Sequence, residues 1–345
     1  MELPDYIDDE AFMEEVLPVT TIQLEISKSY RGVRIDKCIA DLIPQYSRSK
    51  IQQWILKGSI SINKIPISSK YMIIGGEWLE LDIPEEPQNN AFKPENIPLE
   101  VVYSDKEVGV INKPVGMVVH PAVGNWGGTM LNGILHHFPE CSLVPRAGIV
   151  HRLDKDTSGL LVFSKTLESH TNLVRQLQER SMKRKYLALI WGEAPYEKTI
   201  DVAIGRDQRD RIKMGVTHVN NGKTAKTHIK KIESVSFHGK VISLIQCQLE
   251  TGRTHQIRVH LESIGLPLIN DPLYRQKVPQ ITNNKLKELM RDTGFESYGQ
   301  FLHAMELGFL NPLHKTQIEF QIKPDDLFIK TLKNLGFSDV LTTLK

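Results

Sequence analysis

At 345 residues, with 40% hydrophobic and 24% charged side chains, the chain is long for one core and is expected to form two or three domains that fold without covalent staples. No uninterrupted apolar run approaches the roughly 18 residues that span a bilayer, and the acidic start lacks the basic and apolar regions of a secretory signal. Three isolated cysteines, Cys38, Cys141 and Cys247, offer neither a disulfide framework nor a CxxC metal site, so membrane-spanning, exported and disulfide-built classes are excluded and a reducing, cytoplasmic setting is expected.

The net charge of +2 conceals an asymmetry, because Glu2, Asp5, Asp8, Asp9, Glu10, Glu14 and Glu15 sit together without a compensating base. The rest of the chain carries 43 basic against 34 acidic residues, a net of +9. Lys and Arg recur there in short clusters, which fits a surface that meets phosphates. It fits a plain solvated surface with an acidic tail equally well.

In chain order, an acidic, flexible extension over 1–19 precedes an alternating strand from Thr20 to Ser27. Ile35, Ile39, Leu42 and Ile43 then recur at helical spacing within Arg34 to Ile43, and Pro44 closes that helix. Ser47 is a natural N-cap for a second helix, Arg48 to Lys57, that buries Ile51, Trp54 and Ile55, keeps Arg48, Lys50 and Lys57 outside and ends at Gly58. Ile60, Ile62 and Ile73 to Ile83 read as short strands around Gly75 and Gly76, which makes 20–83 a compact helix-helix-hairpin module. Residues 84–98, rich in proline and without apolar periodicity, read as a linker.

From Leu99 to the last residue, short β-branched runs alternate with few helical segments. They are Val101–Val102, Val108 to Ile111, Met117 to Val119, Leu160 to Phe163, Tyr186 to Trp191, Val241 to Leu249 and Gln317 to Ile322. This predicts an α+β fold with a mixed or antiparallel sheet, not a doubly wound parallel one.

The densest chemistry lies between Gly148 and Lys165, where two apolar runs flank a turn carrying His151, Arg152, Asp154, Lys155, Asp156, Thr157 and Ser158. A bland turn needs only Gly159 and one Asp. With Arg152 two residues away, a partly buried Asp154 would stay ionised as a nucleophile or base. A second cluster, Thr251 to His260, follows the strand Val241 to Leu249 and opens a helix with Thr254 as expected N-cap, Ile257, Leu261 and Ile264 as buried face, and Gly265 as terminator. Arg253 and Arg258 make that helix start a place for an anion, either an RNA phosphate or the carboxylate of Asp154. His136, His137, His151, His255 and His260 show no HExxH or paired Cys/His spacing, so no metal is expected.

Together these segments resemble the RluA family of pseudouridine synthases, from about Leu99 to Phe320. The family signature His-Arg-Leu-Asp-x-x-Thr-Ser-Gly-Leu-Leu-Val stands here as His151 to Val162, with Phe163 and Ser164 departing from the usual tail. Asn112-Lys113-Pro114 with Val119-His120-Pro121, Lys185-Tyr186, Gly222 to Thr227, Thr251 to His260, and Leu302-His303-Ala304 match in the family's order, whereas Gln276 to Gly299 fits less clearly. The resemblance implies that Asp154 is the catalytic aspartate, Tyr186 the tyrosine that stacks on the base, Arg258 the arginine paired with the aspartate, and Arg152 a holder of the flipped nucleotide.

The amino-terminal module is similar to an S4 RNA-binding domain, which makes the whole resemble the RluD-like branch that modifies large-subunit ribosomal RNA. RNA, as ribosomal RNA or an assembly intermediate, is the implied partner. Arg34, Arg48, Lys50, Lys57, Arg253 and His255 are candidate RNA contacts, and a monomer is expected. The reaction moves the ribose from N1 to C5 of uracil, so it implies no cofactor. The rival readings are a noncatalytic RNA-binding or ribosome-assembly protein, a family member acting on transfer RNA, and a Mg²⁺-dependent phosphoryl enzyme using Asp154 and Asp156.

Overall fold

The structure is a computed structural model that describes residues 19–44, 46–84, 91–122, 124–207, 210, 213–217, 222–291, 295 and 298–338. The acidic extension lies outside the described residues except for Val19, and so do residues 85–90 of the expected linker. The chain divides into two compact units, 1–89 and 90–345.

The first unit consists of β1 (Val19–Glu25), α1 (Ile35–Leu42), α2 (Arg48–Leu56), β2 (Ile60–Ile62), β3 (Ile65–Pro66) and β4 (Trp78–Pro84). Its antiparallel sheet has the order β1-β4-β2-β3. Ile35, Cys38 and Ile39 of α1 and Ile51, Trp54 and Ile55 of α2 pack with Ile60, Ile62, Leu79 and Leu81. Ser47 caps α2 by accepting from Lys50 N at 3.3 Å. Leu42, expected inside, is 37% exposed, and Asp36 is buried instead. The expected strand from Ile73 begins only at Trp78, because the Glu77 carboxylate accepts from the backbone of Ile74 and Gly75, both at 2.6 Å, and curls that stretch into a loop.

The second unit opens with β5 (Glu100–Ser104), β6 (Val108–Lys113), α3 (Met130–His137), β7 (Ser158–Ser164), α4 (Leu167–Gln178), β8 (Lys183–Trp191) and β9 (Glu197–Asp201). It continues with β10 (Ile204–Arg206), β11 (Met214–Val216), β12 (Lys226–Phe237), β13 (Lys240–Leu249), α5 (Gln256–Ser263), α6 (Gln280–Leu289), β14 (Leu302–Leu310), β15 (Gln317–Gln321) and α7 (Asp326–Leu335). The main sheet runs β5-β6-β7-β14-β8-β13-β12-β9, with β15 beside β14. Its pairs are antiparallel except β7 with β14, so the sheet is mixed and the fold α+β.

Strand β8 shows why the sheet is buried on both faces. Tyr186, Ala188 and Ile190 join the cluster containing Ile134 of α3 and Ile257 of α5. Leu187, Leu189 and Trp191 join Leu286 of α6 and Phe328 of α7 on the other side. The period of two along a strand makes this division, and each such large side chain contributes about 1.5–3 kcal/mol through burial. Tyr186 thereby lies on the α5 side.

One expected strand, Met117 to Val119, does not form. The carbonyls of Val118 and Val119 instead accept from the backbone of Met130 and Leu131 at 2.8 and 3.1 Å, which satisfies the start of α3. Three strands that the alternation argument passed over, β9, β12 and β14, complete the sheet.

Candidate active site

The turn of residues 151–157 enters β7 at the parallel junction with β14. Ser158 pairs with His303 and Gly159 with Ala304, and Ser158 Oγ lies 2.9 Å from His303 Nδ1. Gly159 is in the left-handed region at φ 111°, and a Cβ there would stand 2.3 Å from Ala304 O, so only glycine permits this approach. The turn closes with Thr157 N donating to Asp154 O at 3.1 Å.

A second anchor comes from the fully buried Lys113. Its ammonium donates to the carbonyls of Pro114, Met117 and Lys155 at 2.8, 2.9 and 2.8 Å, which ties the residue after Asp154 to the end of β6. Burial pulls this amine from 10.5 down to about 7, against the opposing pull of Asp156 and Asp154.

Asp154 meets Arg258 across the cavity wall, Nη1 to Oδ2 at 2.9 Å, with side-chain exposures of 15% and 5%. Arg258 Nε and Nη2 both go to the buried Asp271, at 2.7 and 2.8 Å, and Asp271 Oδ1 also accepts from the backbone of Leu273 and Tyr274. Burial would lower the guanidinium, but Asp271 and then Asp154 raise it above its ordinary value, so it stays charged. Arg152 is exposed and carries no ion pair among the described residues, and the cationic partner of Asp154 is Arg258, not the sequence neighbour. Of the two anions left open for the start of α5, the carboxylate of Asp154 is the one that Arg258 holds.

Helix α5 starts one residue later than expected. His255, not Thr254, is its N-cap, in the left-handed conformation at φ 56°. This places its Nδ1 2.8 Å from Tyr274 Oη and its Nε2 4.0 Å from Asp154 Oδ1. Burial lowers the imidazole, which favours the neutral ring. The helix is buried from Gln256 to Leu261, not on one face, and Ile264 is its C-cap. Its polar residues are therefore satisfied internally. Gln256 Nε2 donates to Lys226 O and Thr227 Oγ1, both at 3.0 Å, and His260 lies 2.9 Å from Thr227 Oγ1 and 3.0 Å from Val202 O.

Tyr186, 5% exposed, lines the same cavity, and burial pushes its phenol up to about 12. The cavity, of about 910 Å³, thus gathers Asp154, Tyr186, Arg258, Arg152, Arg253 and His255 from three separate chain segments. Arg253 Nε is engaged with Thr224 O at 3.1 Å.

The candidates of the first unit lie at the start of α1 and along α2. Arg34 and Arg48 pair with the buried Asp36 at 2.9 and 3.0 Å, and Gln52 adds a third donor. Burial raises the Asp36 carboxyl, but these donors outweigh it and hold the group well below its usual range. Lys50 Nζ stands 5.8 Å from the Trp54 ring centroid, and Lys57 is exposed at the end of α2.

Sequence reasoning gave no role to Asp271, Tyr274 or Lys113. An aspartate two residues after the largely apolar run Leu266 to Ile269 was the available signal for the first.

Residues 107–263 match the sequence model of the RNA pseudouridylate synthase family. A ribosomal large subunit pseudouridine synthase D of Neisseria meningitidis is 44% identical over 326 residues, covering 94% of this chain and 84% of the relative. The protein of the same description from Nitrosomonas europaea is 42% identical over 325 residues, covering 93% and 90%. The solved structure of human RNA pseudouridylate synthase domain containing 4 shares the fold, with a TM-score of 0.53 and 22% identity over 68% of this chain and 92% of that one. The chain belongs to the RNA pseudouridylate synthase family. Within it, the chain is RluD-like.

Proposed function

We propose that this protein isomerises specific uridines of large-subunit ribosomal RNA to pseudouridine, with Asp154 as the reacting carboxylate. The observation that carries the reading is the pair of half-buried Asp154 with buried Arg258 on the wall of a cavity large enough for one everted nucleotide. The glycosidic bond from C1′ to N1 breaks, a bond from C1′ to C5 forms, C5 loses its proton and N1 gains one. Atoms and electrons balance within the nucleotide.

Each residue then has a physical task. Arg258 keeps Asp154 oriented at the cavity wall, where few waters compete for the carboxylate. Tyr186 offers an aromatic face to the base that has left its stack, replacing stacking worth about 1–3 kcal/mol. Arg152, Arg253 and His255 hold the nucleotide at the mouth, and Lys50 and Lys57, with Arg34 and Arg48, form an RNA face on an S4-like first unit. A soluble monomer in the cytoplasm, acting on ribosomal RNA or an assembly intermediate, completes the reading.

The test is to map pseudouridine in large-subunit ribosomal RNA with and without the gene, then to treat the unmodified RNA with purified protein in EDTA. Specific sites that vanish with the gene and return on treatment support the proposal. Unchanged sites would refute it, and a phosphoryl-transfer activity that EDTA abolishes, with no pseudouridine formed, would favour the phosphoryl-enzyme alternative.

A further inference from the structure

We infer that Arg184, with His120 and the rim arginines Arg146 and Arg152, forms an anion subsite of the cavity that takes a backbone phosphate beside the everted uridine. This inference rests on the RNA reading above.

The first support is charge. Six arginines line the cavity, Arg146, Arg152, Arg180, Arg184, Arg253 and Arg258, against two carboxylates, Asp154 and Glu250. Both carboxylates are engaged, Asp154 by Arg258 and Glu250 by Arg180 at 3.1 Å and His228 at 2.7 Å. Arg146, Arg152, Arg184 and Arg253 have no carboxylate partner among the described residues, which leaves the wall strongly cationic.

The second is burial. Arg184 is 5% exposed, and its Nε is buried without a hydrogen-bond partner among the described residues. Its Nη2 reaches only a carbonyl, Glu250 O at 3.3 Å. A Cβ at Gly252 would stand 2.8 Å from Nη1, so the guanidinium packs directly under the loop that leads into α5. A buried cation without a counter-charge is costly, and the missing anion is what a ligand would supply. His120 Nε2, also on the cavity wall, is likewise buried without a partner among the described residues. Between the two, His151 is already engaged, with Nε2 accepting from Val162 N at 3.2 Å.

The third is position. Arg184 lies two residues from Tyr186 on β8, hence on the same face and about 7 Å along the strand. A base over Tyr186 would bring a neighbouring backbone phosphate towards Arg184. Arg146 and Ala147, both left-handed at φ 55° and 52°, hold a strained bend at the rim, as functional loops do. Uracil is neutral and needs no such excess of charge, whereas the arginine fork fits phosphate oxygens.

The test is a coupling cycle read on binding to a synthetic large-subunit ribosomal RNA stem-loop. A single neutral methylphosphonate is placed in turn at each backbone position flanking the target uridine. At one position wild-type affinity should fall roughly tenfold and the salt slope should flatten by about one unit. That same substitution should cost Arg184→Gln nothing further, and Arg184→Lys should recover part of the affinity. Equal losses in wild type and Arg184→Gln at every position would overturn the subsite, and the wild-type scan stands even where a variant folds poorly. Inorganic phosphate and uridine 5′-monophosphate should compete only at millimolar concentration; micromolar, Arg184-dependent binding of either would assign the site to a free phosphate instead. Because the cycle reads binding, loss of turnover on the same RNA would count against the isomerase reading alone.

Discussion

Asp271 holds Arg258 through two hydrogen bonds, Nε to Oδ2 at 2.7 Å and Nη2 to Oδ1 at 2.8 Å, and so leaves Nη1 as the donor that meets Asp154. The guanidinium is thereby fixed on the side away from the cavity. Asp271→Asn removes the charge and one half of the fork. It should lower kcat roughly 10–100-fold with little change in KM, because a slight misplacement of a reacting group is enough, and cost about 3 kcal/mol of stability. Steady-state kinetics with thermal melting checks this, and unchanged kcat would show that Asp154 needs no such support.

Asp154→Asn keeps the size of the side chain and removes its nucleophilic and basic character. Turnover should be abolished while RNA affinity stays within a few-fold of wild type. Pseudouridine detection beside a binding titration separates the two, and full turnover by this variant would refute the assignment.

At Tyr186 the comparison is between face and hydroxyl. Tyr186→Phe should bind RNA nearly as well as wild type and retain part of the turnover, whereas Tyr186→Ala should lose about 1–3 kcal/mol of stacking. Identical behaviour of the two variants would dismiss stacking.

Lys113 gives a pH signature. Its folded value, about 7, lies below 10.5 for the free amine, so between those limits the unfolded chain binds more protons than the folded one. This group therefore adds stability as pH rises through that window, with a slope of at most about 1.4 kcal/mol per pH unit. Above pH 7 the neutral amine also has one donor too few for its three carbonyls, so the Asp154 turn should loosen and kcat decline. Lys113→Met should be less stable by about 2–4 kcal/mol and should lose the slope. Denaturant titrations from pH 6.5 to 9.5, on the order of seven points, would reveal a persisting slope if another group were responsible.

In the first unit, Arg48 and Lys57 should separate. Arg48 is one of three side chains that donate to the buried Asp36, so Arg48→Ala should destabilise by about 1–2 kcal/mol. Lys57→Gln should leave melting unchanged and reduce the salt slope of RNA binding by about 0.7–0.9. An unaltered slope in both variants would move recognition to the second unit.

The sequence by itself marked out the signature turn, because His151 to Val162 is contiguous and is legible without a distant partner. It also determined the helices of the first unit and most strands of the second, since periodicity and capping are local. Spacing along the chain could not identify the counter-ion of Asp154, and only the family resemblance pointed to Arg258. Arg152, two residues away, was the natural choice along the chain, yet the turn leaves it exposed, and the order β7-β14-β8-β13 delivers Arg258 from 104 residues away. Asp271, Lys113 and the unpaired Arg184 acquire meaning in the same way. Their charges are set by what burial removes and what neighbouring strands supply, and that is decided only when the sheet closes.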